Sequence, residues 1–177
     1  MRKTLLCICG LLAAATCTAQ TAAVLTSSGL AKLQVFAGTW QAQGDPDGSG
    51  KTPPSAVTTC QWSANGQYLV CDQLVKMDGN AINNLSIYSY DAQKNAYTLS
   101  IVGVPGRAPF AIPITAVGDT LFYNSEWTSD GVTHYGRTLN IFSSATAYTY
   151  MVQNSDDKIT WQTQAQGWSK KISAAAP

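Results

Sequence analysis

TCQWSANGQYLVCDQ, residues 59–73, places two strand-like runs on either side of Asn65-Gly66. Asn-Gly between such runs signals a β-hairpin, because a type I′ turn needs positive φ at both central residues. Read as a two-residue loop, it sets Trp62 opposite Leu69 and Cys60 opposite Cys71. The turn alone fixes that register, yet it brings the two cysteines together, so we expect a Cys60–Cys71 disulfide worth about 3 kcal/mol or less. Counted from a two-residue turn this is a hydrogen-bonded pair, and a longer turn would change the phase. A redox pair would want a neighbouring cation; no basic residue lies between the two cysteines.

Working outward, the same punctuation repeats. Strand-like runs cover about 39–44, 56–63, 67–76, 82–91, 95–103, 109–117, 120–127, 132–142, 145–153 and 158–168. Turn residues separate them, among them Asp78-Gly79, Gly118-Asp119 and Asp130-Gly131. About ten strands joined by short connections imply an antiparallel meander. Curling such a sheet closed removes its edges. The expected fold is therefore all-β, an up-and-down barrel. One short helix is expected over 28–37, where Leu30, Leu33 and Phe36 recur, with Ser27 or Ser28 as N-cap. Residues 45–54 read as a loop.

The chain has 177 residues, 45% hydrophobic and 12% charged, with a formal net charge of +1. That balance argues against an electrostatic nucleic-acid binder. The polar remainder is Thr, Ser, Gln and Asn rather than Glu and Lys, so disorder is not expected. Arg2 and Lys3, the apolar run Leu5–Ala15 and Cys17-Thr18-Ala19 read as a secretory signal peptide over 1–19. The run is too short to span a bilayer. Residues 20–27 then form a tail, 28–173 the barrel domain and 174–177 a second tail. Cys7, Cys9 and Cys17 leave with the leader, and two remaining cysteines in an exported chain read as one disulfide. A secreted or periplasmic location follows.

Gly38-Thr39-Trp40 after a short helix resembles the Gly-x-Trp opening of the lipocalin and fatty-acid-binding (calycin) superfamily. Together with TCQWSANGQYLVCDQ, LSIYSYDAQKNAYTLS (85–100) and NSDDKITWQ (154–162), it is similar to an exported bacterial lipocalin-like domain of unknown function. The resemblance covers roughly residues 30–168 and implies a barrel with Trp40 plugging one end. The chain departs from the pattern at Asp157, where Gly is expected, and has no obvious C-terminal Arg to pack on Trp40. The resemblance implies no activity.

Chemical motifs are few. There is no G-x-S-x-G, P-loop or H-E-x-x-H. One His and a paired set of Cys do not make a zinc site, so no metal or cofactor is expected. Asp45 to Gly50 echoes a calcium loop, but with Gly at the fourth position and Ala56 at the twelfth. If Asp130-Gly131 is a two-residue turn, Glu126 faces Tyr135, Asn124 faces Arg137, and Trp127 faces His134 on the other face. Phe122, Leu139 and Ile141 continue the Glu126 face as an apolar flank. We therefore expect Arg137, Tyr135, Glu126 and Asn124 to point into the barrel and bind a ligand, the guanidinium gripping an anionic head. In a second reading Glu126 or His134 is a general base in an apolar cavity. The plain alternative is a surface ion pair.

The resulting expectation is an exported barrel whose partner is a small apolar or amphipathic ligand, with no nucleic acid and no membrane span. The alternatives are a metal-free isomerase or lyase, and a cell-envelope interaction protein with a filled barrel.

Overall fold

Two-residue turns make four of the nine connections between consecutive strands. Asp78-Gly79 and Asp130-Gly131 have positive φ at both positions, as a type I′ turn demands. A computed structural model describes residues 28–46, 51–104 and 106–174. Among them run ten antiparallel strands: β1 Gly38–Gly44, β2 Ser55–Trp62, β3 Leu69–Met77, β4 Asn80–Asp91, β5 Ala96–Val102, β6 Phe110–Val117, β7 Thr120–Ser129, β8 Val132–Ser144, β9 Ala147–Ser155 and β10 Gln162–Ala174. Each pairs with its sequence neighbour, and β1 pairs with β10 to close the barrel. The up-and-down barrel is thus as the turns and periodicity imply. At the seam, Gly44 lies opposite Gly167, where any side chain on Gly167 would run into the Gln43 carbonyl.

Several boundaries differ from the sequence reading. The helix is a 3-10 helix, Gly29–Phe36, and Ser28 makes no side-chain cap bond. The spacing of Leu30, Leu33 and Phe36 by threes is the 3-10 repeat, which stacks them on one face. The final strand starts at Gln162, because Ser155 and Asp157 fold the preceding segment into a turn of their own. Ala174 still pairs with Gly38. The proposed leader 1–19, the tail 20–27 and residues 175–177 lie outside the described residues, as does part of the calcium-like loop.

The Cys60–Cys71 disulfide is present, with the register derived from the turn. Its phase is shifted. Ser63 N–H donates to the Tyr68 carbonyl at 2.8 Å, so the loop is Ala64–Gln67, not Asn65-Gly66 alone. Four residues keep the same partners but leave Cys60–Cys71 a non-hydrogen-bonded pair, with Cα atoms 4.0 Å apart.

One end of the barrel is plugged. Phe36 stacks on Tyr88 with centroids 5.0 Å apart and meets Phe142 edge-on. Trp40 is 3% exposed, and its Nε1–H donates to the Phe36 carbonyl at 2.9 Å. Lys171 Nζ lies 5.0 Å from the Trp40 ring, supplying a cation from β10 where no Arg is available. Burial holds the Lys171 ammonium below its ordinary pKa.

The wall lapses between β6 and β7. Around Gly118-Asp119 the Val117–Thr120 pair is hydrogen-bonded, and alternation makes Pro113–Asn124 another such pair. Pro113 has no N–H to give. The β6–β7 ladder stops at Ile114↔Tyr123, while Phe110 to Pro113 remain paired to β5 and Asn124 to Ser129 to β8.

Candidate functional site

The plug fills only one end. Beyond it lies a cavity of about 410 Å³, running from Phe36 and Trp40 to Pro54, Val104 and Phe110 by the β1–β2 and β5–β6 loops. Small residues, Ala42, Ala56 and Ser86, keep its middle hollow. The disulfide forms part of its wall.

Two polar rows cross this wall. Thr58, Gln73 and Asn84 are register partners on β2, β3 and β4. Gln73 Nε2 donates to Thr58 Oγ1 at 3.0 Å, and Asn84 Nδ2 donates to Gln73 Oε1 at 3.2 Å. Asn84 Oδ1 ends the row buried and without a partner among the described residues. Opposite, Asn140 Nδ2 donates to the Tyr123 hydroxyl at 3.3 Å, and the Tyr88 and Tyr123 hydroxyls lie 3.4 Å apart. Burial pushes both phenols above their ordinary pKa, so they are neutral donors and acceptors at any physiological pH. Among the described residues, no Asp, Glu, Lys, Arg or His lines the cavity. What it offers is apolar surface and neutral hydrogen bonds.

The pairings expected for β7 and β8 are all present: Asn124↔Arg137, Glu126↔Tyr135 and Trp127↔His134. Their orientation is the reverse of the expectation. Tyr123, Thr138 and Asn140 line the cavity, so the alternate residues Asn124, Glu126 and Arg137 stand on the outer wall. Glu126 is 62% exposed and pairs with Lys158 at 3.7 Å, not with Arg137. Arg137 lies 3.9 Å over the Trp161 ring and donates from Nε to Gln153 Oε1 at 2.8 Å. The expected apolar flank of Phe122, Leu139 and Ile141 alternates with the cavity-lining residues and so lies on the outer side of the sheet, where Ile141 is 36% exposed and Leu139 only 8%. His134 is stacked on Trp127 and bonded to Asp156 Oδ1 at 2.6 Å, away from the cavity. Neither proposed general base is therefore placed where a ligand in the barrel would meet it.

Asn124, Glu126 and Tyr135 do come together elsewhere. They line a surface groove of about 890 Å³ at the β6–β7 lapse, beside Arg107, Lys158 and Trp161.

Sequence reasoning missed Thr58, Gln73 and Asn84. The signal was present in the turns: the Asn65-Gly66 register pairs Thr58 with Gln73, and Asp78-Gly79 pairs Gln73 with Asn84. Trp40↔Thr58 puts that row in phase with the plug.

No helix among the described residues is long and apolar enough to cross a membrane. Compared with known proteins, the chain matches no family model and no curated protein.

Proposed function

We propose that the protein is an exported, lipocalin-like binding protein that holds a small, largely apolar molecule inside its barrel. The observation that carries this is the cavity of about 410 Å³, which among the described residues is walled without charged groups and holds an unpartnered Asn84 carbonyl. Pockets of this size with a few converging polar groups are what small ligands occupy. The uncharged wall favours binding over acid–base catalysis, which needs a titratable group in reach. Export is supported by the leader-like residues 1–19 and by the disulfide, which persists in oxidising compartments.

The test is a titration with N-phenyl-1-naphthylamine, a neutral dye that brightens on leaving water. Saturable one-to-one binding, reversed by dodecan-1-ol, is expected. Absence of saturable binding by this dye and by dodecan-1-ol overturns the reading.

A further inference from the structure

The groove at the β6–β7 lapse adjoins the cavity. Phe110 and Ile112 line both, so the two spaces meet at those side chains. The wall there has no ladder to open, because Pro113 ends it at Ile114↔Tyr123.

The charge lies on the outer side of that junction. Arg107 sits 5.1 Å over the ring of Phe110, one of the two shared side chains. Lys158 lies 4.1 Å over Tyr135 and 3.7 Å from Glu126. Both cations are exposed on one side and rest on an aromatic face on the other. They are thus placed in the groove with much of their hydration kept. The groove is cationic on balance, with Arg107 and Lys158 against Glu126. Among the described residues, no charged side chain lines the cavity behind it.

We propose that the lapse is a lateral entrance with a head-group site: an amphiphile lies with its apolar part in the cavity, past Phe110 and Ile112, and its anionic end between Arg107 and Lys158. This rests on the cavity-binding reading and names its ligand class, a single-chain organic anion. The carboxylate of Glu126 holds Lys158 in the empty groove, and an anionic head competes for the same ammonium. Asn124 and Tyr135 flank that exchange. An anion cannot be drawn further in, because desolvating it against an uncharged wall is costly.

Dodecanoate and dodecan-1-ol, equal in carbon count, separate head from tail. Each is measured by displacement of N-phenyl-1-naphthylamine from the full chain. The expected result is that the wild type binds dodecanoate at least tenfold more tightly than the alcohol. Arg107→Gln with Lys158→Gln should remove that preference and leave the alcohol within twofold. Glu126→Gln should tighten dodecanoate severalfold by freeing Lys158. Ala111→Trp, at an exposed groove position of β6, should slow association of both probes at least tenfold. Thr115→Trp, exposed on the same face where the ladder is intact, should change neither rate.

Dodecanoate preference that survives loss of both cations, or association rates unchanged by Ala111→Trp, overturns the lateral site while leaving the cavity reading standing. No displacement by either probe in the wild type overturns both. Equal affinity for acid and alcohol in the wild type overturns the head-group site alone.

Discussion

At the scale of single residues, the plug concentrates the stability. Trp40 is 3% exposed, packs edge-on against Phe142 and gives its indole N–H to the Phe36 carbonyl. Trp40→Ala leaves a cavity among aromatic rings and an orphaned carbonyl. A loss of about 3–5 kcal/mol is expected in denaturant unfolding; a change within about 0.5 kcal/mol, the surface range, would contradict the plug. The buried phenols give a pH signature. Burial raises the folded pKa of Tyr88 and Tyr123 above the ordinary 10.0, so folding favours their protonated forms. Their contribution is complete below pH 10 and is lost as pH rises above it, because the unfolded chain ionises first. The melting temperature should fall above pH 10. Phenolate absorbance at 295 nm should show at least two tyrosines that titrate only on unfolding. All tyrosines titrating together in the folded protein would contradict the buried pair. Trp40 was legible because its neighbours Gly38 and Thr39 and the preceding helix mark it. The Tyr88–Tyr123 contact was not, since strands β4 and β7 are not neighbours and no turn relates them.

At the scale of elements, hairpins whose turns could be read had their registers read correctly. Asp130-Gly131 gave Glu126↔Tyr135, and Asn65-Gly66 gave Cys60↔Cys71. What the pattern concealed was which face is inside. An apolar row on a strand argues for the core only when the core is filled. Here the inner row of β8 carries Thr138 and Asn140 toward a cavity, while Leu139, itself covered, and the exposed Ile141 alternate to the outer side. A hollow interior inverted the usual reading, and Arg137 was misplaced with it. The β2–β3 hairpin offers the cleanest test at this scale. Cys60 and Cys71 are 11 residues apart, a loop whose closure is worth about 3 kcal/mol in the chain-entropy account. Replacing both, Cys60→Ala with Cys71→Ala, should lower unfolding free energy by about that much. The barrel should persist by circular dichroism, because the strand pairing of Thr58↔Gln73 and Trp62↔Leu69 does not need the bond. Two free thiols in folded, non-reduced protein would remove the premise.

For the whole molecule, the question is why a closed ten-stranded barrel stays hollow when filling it would be stabilising. The plugged end shows that the chain has large residues to spend: Phe36, Trp40, Tyr88 and Phe142 pack there to near-complete burial. Past the plug the wall turns to Ala42, Ala56 and Ser86, and two amide-bearing rows take the inner positions. An unpartnered buried carbonyl such as Asn84 Oδ1 costs folding energy. A cavity forfeits contacts that larger side chains would make. A protein that carries both at one place is holding stability below its optimum there, a pattern expected where binding requires it. Ser86 decides between this and mere loose packing. It lies opposite Cys71 in register and faces the hollow. Ser86→Leu adds apolar volume without displacing a bonded polar group. If the hollow is a binding site, the variant should gain about 1 kcal/mol in unfolding free energy and melt a few degrees higher. It should also bind N-phenyl-1-naphthylamine at least tenfold more weakly. A variant that is destabilised and still binds the dye as the wild type does would mean that the dye sits elsewhere and that the space around Ser86 has no role in holding a ligand.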